Sequence, residues 1–405
     1  MVSMPRLHGP DQLEKAPAAF YGAFISPKAL SRLSTLQFAD DQGGEPMKIA
    51  QIAPLAERCP PSLYGGTERI VSYLTEELVC QGHEVTLFAS GDSVTGAELV
   101  PCCDMALRLD ADVGDHLPYY VMMLDRVMAA AARFDVLHFH IDMLQCPLLR
   151  RLPVRAVTTL HGRLDLPELQ PFYAHFPQFP LVSVSDAQRA PMPPVNWVGT
   201  VHHGIPATLL DYCANPAGDY LAFLGRISPE KRPDHAIEVA ARAGLPLKMA
   251  AKVDRVDRTY WQEVIRPLVA AHAEVEYIGE IDESAKSAFL GNARALLFPI
   301  AWPEPFGLVM IEAMACGTPV IAFDCGSVPE VIEPGISGYI VHSVDEAVAA
   351  VASAATLPRA GVRAAFEARF TAERMARDYV RIYQGLPNPG DAGETHGEAD
   401  GLALA

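Results

Sequence analysis

From residue 48 to residue 341, short apolar runs alternate with longer amphipathic segments, and this rhythm occurs twice. In the first half, strands are expected at 48–52, 84–88, 136–138, 156–160, 181–183 and 197–201, and helices at 67–81, 118–133 and 186–190. In the second half, strands are expected at 220–224, 247–251, 275–278, 295–298, 319–323 and 338–341. Helices there fit 232–243, 259–271, 283–292, 308–315, 328–332 and 344–355. Strand, helix, strand at this spacing implies parallel sheets wound on both faces. The expected fold class is therefore α/β, with two Rossmann-like parallel-sheet domains facing across a cleft. Open parallel sheets take their ligands at the carboxyl ends of the strands, so residues at strand ends are the first candidates for function.

The 405 residues suit two such domains. Residues 1–46 scatter their apolar residues and end in a breaker cluster, so they read as a poorly structured extension, with Met47 a candidate start. A first domain is expected over 47–205 and a second over 206–369. A last amphipathic helix follows over 370–387, with the option of packing back on the first domain. The Gly- and acid-rich tail 388–405 reads as disordered. The net charge of −17 makes nucleic acid a poor partner, although it leaves room for a local basic pocket. The eight cysteines form no C-x-x-C pair and read as free thiols of a reducing cytoplasm. No apolar run reaches the ~18 residues of a membrane helix. The expected location is cytoplasmic, with peripheral attachment to a membrane as an option.

Two segments of the second half carry charge at strand ends. Gly225 permits a sharp turn after the strand 220–224, and Arg226 and Lys231 then flank one loop. Such a pair suits a diphosphate, and equally fits a solvated loop with stray charges. After the strand 295–298 comes Trp302-Pro303-Glu304-Pro305-Phe306-Gly307-Leu308, then Glu312. The prolines hold Glu304 in an extended turn. A helix starting near Phe306–Leu308 offers free N–H groups to an anion. Glu304 then precedes the helix and Glu312 lies inside it, with a phosphate site between them. Two glutamates at this spacing are ordinarily surface charge, but the Pro-Glu-Pro-Phe-Gly lead-in argues against that here.

This segment resembles the E-x7-E signature of the retaining GT-B glycosyltransferases of family 4. Gly225-Arg226 with Glu230-Lys231, Ala315–Ala322, Gly326–Glu330 and Gly335–Tyr339 are similar to further motifs of that family, in order, and the resemblance spans roughly 47–384. It implies that Arg226 and Lys231 hold a diphosphate. It also implies that Glu304, with backbone groups of Phe306, Gly307 and Leu308, holds sugar and phosphate, and that Glu312 binds ribose. The loop Gly279-Glu280-Ile281 would lie near the nucleobase. In the first half, Gly65-Gly66-Thr67 exposes N–H groups at a helix start and resembles the family's Gly-Gly-Thr loop near donor phosphate and acceptor. The segment is not G-x-G-x-x-G, which counts against nicotinamide binding. Taken alone, His161 at the end of strand 156–160 reads as a structural histidine; the family places a histidine there against the donor sugar. Arg163 and Asp165 are candidate acceptor contacts. Many members carry Asn where this chain has His203.

The implied function is transfer of a sugar from a UDP- or GDP-type nucleotide-diphosphate sugar to a hydroxyl acceptor (a sugar, a lipid-linked sugar or a small molecule), with retention. No metal and no cofactor are expected. His138 and His140 share a strand face but lack a third ligand, and Asp110-Ala111-Asp112 reads as loop. The alternatives are a sugar-nucleotide epimerase or hydrolase on the same fold, and a non-catalytic nucleotide-sugar-binding protein.

Overall fold

The computed structural model describes residues 45–62, 65–150, 152 and 154–388. Apart from Glu45, Pro46 and Asn388, the expected N-terminal extension and acidic tail lie outside the described residues. Strands β1 (Lys48–Ile52), β2 (Glu84–Ser90), β3 (Glu98–Cys103), β4 (Val136–Phe139), β5 (Arg155–Thr159), β6 (Leu181–Ser183) and β7 (Trp197–Thr200) form a first sheet in the order β3-β2-β1-β4-β5-β6-β7. Strands β8 (Leu221–Arg226), β9 (Leu247–Lys252), β10 (Val275–Gly279), β11 (Ala295–Phe298), β12 (Val320–Phe323) and β13 (Gly338–Val341) form a second, ordered β10-β9-β8-β11-β12-β13. All pairings are parallel. In each sheet the chain winds outward from its first strand, then restarts on that strand's other side. The crevices at β1/β4 and at β8/β11 are therefore topological switch points, where open α/β sheets bind ligands.

The period of two along each strand sorts side chains between two cores. On β11, Ala295 and Leu297 join a cluster with Phe223, Met249 and Ile237, while Leu296 and Phe298 join another with Met310, Ile311 and Phe366. On the first sheet, Ile49 and Val136 pack under the helix Gly66–Cys80, whereas Ile52 and Phe139 pack on Met123 and Val127 of the helix Leu117–Ala130.

The last helix, Ala372–Gly385, returns to the first sheet. Thr371 caps it by accepting from Arg374 N at 3.2 Å and bridges in parallel to Ile205. Met375, Ala376, Tyr379 and Tyr383 are buried against Ile49, Val85 and Val157.

Several elements differ from the sequence reading, among them the unexpected short helices Cys146–Leu149 and Leu169–His175, and three have a clear physical reason. Strand β3 was not expected; its Pro101 argues against a strand, but β3 is an edge strand, where a missing N–H is tolerated. The helix expected at 186–190 is the single turn Ala187–Arg189, with Glu330 accepting from the N–H groups of Asp186 and Ala187 at its start and Pro191 preventing growth beyond it. The helix Arg359–Arg369 was missed; Arg359 anchors it on the carbonyls of Cys213, Ala293 and Gly291, long-range partners with no local signature.

Candidate functional site

A cavity of about 470 Å³ opens where the carboxyl ends of the two sheets face each other. The second lobe contributes Gly225, Arg226, Lys231, Glu280, Ile281, Glu304, Phe306, Gly307, Leu308 and Glu312; the first contributes Gly65, Gly66, Thr67 and His161. Of the residues singled out from sequence as catalytic or donor-binding, Gly279 does not line this cavity. It ends β10 at φ +80, one residue before Glu280.

Arg226 ends β8 and is held by Glu230 at 3.0 Å, Asp254 at 3.7 Å and Asp257 at 3.8 Å. These carboxylates fix the guanidinium at the cavity wall, which limits the entropy lost when an anion binds. Lys231 forms an ion pair with Glu304 and sits 5.6 Å from the ring centroids of both Phe298 and Trp302. The two loops are tied together by Ala301 N donating to Glu230 O at 2.9 Å.

Gly307, at φ +77, begins the helix Leu308–Ala315, and no side chain caps it. Its first N–H groups thus face the cavity with the positive end of the helix dipole behind them. Glu312 on this helix is 2% exposed and pairs with Lys286 at 2.6 Å. Lys286 lies 3.4 Å from Glu283, which also pairs with Arg69 of the first lobe. Sequence reasoning missed Lys286: it sits mid-helix in no motif, and only the fold brings it to Glu312.

Basic side chains gather on this cavity although the chain is acidic. Among the lining side chains, Arg69, Arg108, Arg226, Lys231, Lys252 and Lys286 outnumber Glu68, Glu280, Glu304 and Glu312. Six cations thus stand on one concave surface of a protein of net charge −17, each ion-paired with a carboxylate that fixes it where an anionic ligand can meet it.

His161 stands just past β5. Its Nε2 is 2.8 Å from His140 Nδ1, and its ring stacks on His203 at 5.3 Å between centroids. Burial pushes its pKa down to about 3, and burial also holds His138, His140 and His203 well below the usual histidine value. On the same wall, burial raises the pKa of Glu68, whose Oε1 accepts from Glu57 N at 3.2 Å.

Arg163 and Asp165 do not line the cavity. They pair with each other at 2.7 Å, and Arg163 reaches across to Glu230 at 3.6 Å and over Trp302. Two further ties cross between the lobes: Ser185 Oγ donates to Pro305 O at 2.6 Å, and Glu330 accepts from Asp186 N, Ala187 N and His202 Nε2. Asp110 accepts from Asp112 N, and neither aspartate lines this cavity. Among the described residues, no group of three or more His, Cys, Asp or Glu is placed to hold a metal ion. No described helix is long and apolar enough to cross a membrane.

Two doubly wound parallel-sheet lobes, sharing a cleft at their switch points, define the GT-B class. The family described as "Glycosyltransferase Family 4" matches residues 64–242, and that described as "Glycosyl transferases group 1" matches residues 214–369. The chain belongs to the group 1 glycosyltransferases of GT-B fold. It is 27% identical over 399 residues to a phosphatidyl-myo-inositol mannosyltransferase of Mycolicibacterium smegmatis, covering 87% of this chain and 98% of that protein. It is 31% identical over 192 residues to an alpha-maltose-1-phosphate synthase of Mycobacterium tuberculosis, 40% of this chain and 48% of that one. Against several such curated relatives the matched part spans only 33% to 48% of their length. Among solved structures, sucrose-phosphate synthase of Thermosynechococcus elongatus has a TM-score of 0.69 at 18% identity, covering 83% of this chain and 98% of that one. HepE of Anabaena, solved with UDP and glucose, has a TM-score of 0.64 at 15% identity, covering 84% of this chain and all of its own.

Proposed function

We propose that this protein transfers a sugar from a nucleoside-diphosphate sugar to a hydroxyl acceptor, with retention at the anomeric carbon and without a metal ion. The observation that carries the reading is the convergence of Arg226, Lys231 and the uncapped helix start at Gly307 on one cavity shared by both lobes. Relatives named as mannosyltransferase and maltose-1-phosphate synthase support sugar transfer. The UDP complex of the Anabaena neighbour supports a nucleotide donor.

In this reading the bond between the anomeric carbon and the β-phosphate oxygen breaks, and its electron pair leaves with the diphosphate. Arg226, Lys231 and the N–H groups at the helix start stabilise the charge that develops there. The acceptor oxygen bonds to the anomeric carbon on the face the phosphate leaves, and its proton passes to a phosphate oxygen. Glu304 accepts hydrogen bonds from sugar hydroxyls, Glu312 from the ribose, and Glu280 and Ile281 border the base. Thr67 and the Gly65-Gly66 turn approach from the acceptor side. Fixed side-chain cations do the work that a divalent ion does elsewhere.

A panel of nucleotide sugars is first screened for thermal stabilisation, and the best donor is then assayed with hydroxyl acceptors. Lys231→Ala and Glu304→Ala are each expected to cut turnover by roughly 10²–10³-fold with the fold retained. Full turnover by both variants removes the site assignment. Rapid donor consumption without acceptor points instead to an epimerase or hydrolase.

A further inference from the structure

Behind His161 lies a buried chain of hydrogen bonds that the proposed transfer does not explain. Gln51 on β1 is fully buried, and its Nε2 donates to Tyr383 OH at 3.2 Å. With the amide in this orientation, Gln51 Oε1 is the acceptor, 2.7 Å from His140 Nε2. His140 Nε2 therefore carries the proton, and in a neutral imidazole His140 Nδ1 is then a lone pair. His140 Nδ1 lies 2.8 Å from His161 Nε2, so His161 Nε2 carries the proton and donates. The polarity that this orientation of Gln51 sets is passed through two rings, and it leaves His161 Nδ1 as a bare acceptor.

Nothing in the protein uses that acceptor. His161 Nδ1 is buried and has no partner, as is Nδ1 of the stacked His203 on the same cavity wall. Buried polar atoms are rarely left unpaired, and each exception asks for a reason. Both rings are kept neutral by burial, so a lone pair and not a charge is on offer.

We propose that Gln51 and His140 are positioning residues: they hold His161 in its Nε2–H tautomer, so that Nδ1 accepts a hydrogen bond from a hydroxyl of the bound sugar. This rests on the transferase reading for the ligand, but not for the tautomer. The three residues come from the ends of adjacent strands β1, β4 and β5, which fixes the geometry through the sheet rather than through a loop.

Two measurements test it on the full chain. The ¹⁵N spectrum of labelled protein reports the tautomer without any substrate. Protonated Nε2 and unprotonated Nδ1 are expected at His161 in the wild type, and an averaged signal in His140→Phe and Gln51→Leu. A wild-type His161 protonated at Nδ1 overturns the proposal. In transfer assays, His140→Phe is expected to lose about tenfold in kcat, the worth of one well-placed hydrogen bond. His140→Asn, whose carbonyl can stand where Nδ1 stood, is expected to recover part of it. Phe fills the buried space better than Asn, so a purely structural role predicts the opposite order, and that order overturns the proposal. If no nucleotide sugar is turned over by the wild type, the transferase reading fails, while the spectrum still decides the tautomer.

Discussion

Gly326 lies directly against the backbone of Glu304. At φ +58 it adopts a conformation that side chains disfavour, and a Cβ built there would overlap the backbone N and O of Glu304 and come within 2.8 Å of the carbonyl carbon of Pro303. The neighbouring Ser327 completes the support: its N–H donates to Glu304 O at 3.1 Å and its hydroxyl to Phe306 O at 2.8 Å. The glutamate facing the cavity is thus placed by a turn more than twenty positions away in sequence. Gly326→Ala is expected to displace Glu304 and lower kcat at least tenfold, beyond the ~1–2 kcal/mol cost of the left-handed residue itself. Paired measurements of Tm and kcat check this; a variant that loses stability but keeps wild-type kcat contradicts it.

Lys286 and Glu312 form a nearly buried ion pair, with side chains 12% and 3% exposed. Removing one partner strands a buried charge, which typically costs about 3–5 kcal/mol. Lys286→Met is therefore expected to lower Tm clearly and to weaken nucleotide binding. The double variant Lys286→Met/Glu312→Leu is expected to regain stability but not binding. Denaturant unfolding and nucleotide titration of both proteins test the pair; equal stability in the wild type and the single variant counts against it.

Burial keeps His138, His140, His161 and His203 neutral in the folded chain, His161 down to about pH 3. In the unfolded chain each titrates near 6.5. Below that pH the unfolded state binds protons that the folded state refuses, so stability is complete above about 6.5 and falls as pH drops. Each histidine contributes a loss of up to about 1.4 kcal/mol per pH unit until its folded pKa is reached. A Tm that declines steeply between pH 7 and pH 5 is expected, with a shallower decline in His203→Asn. A flat profile over that range refutes the reading.

Glu330 ties the second lobe to the first through two backbone N–H groups, at 2.8 and 2.7 Å, and through His202 at 3.0 Å. Glu330→Ala leaves those donors without their acceptor and loosens the lobes. A larger radius of gyration by small-angle scattering is expected, with a raised KM for whichever ligand both lobes contact. Unchanged scattering and kinetics would show the tie to be dispensable.

Much of the cleft is visible in the sequence because its residues sit on motifs with local causes. Gly225-Arg226 follows an apolar run, the prolines around Glu304 dictate an extended turn, and Gly307 announces a helix start. Lys286, Gly326 as a support for Glu304, and the Gln51–His140–His161 chain are different. Each depends on a partner tens or hundreds of positions away, and no local pattern encodes that partner.

By itself the sequence determined two parallel sheets, the strand ends that border the cleft, and the Arg, Lys and Glu residues gathered there. Period, glycine and proline act within a few residues, so their consequences can be read in order along the chain. Only the tertiary structure decided which strands are neighbours, and hence that β1, β4 and β5 align Gln51, His140 and His161 into one line of hydrogen bonds. It also decided that the last helix buries Tyr379 and Tyr383 against the first sheet. Burial and proton placement belong to surfaces that meet across long loops, and they exist only once the chain has closed on itself.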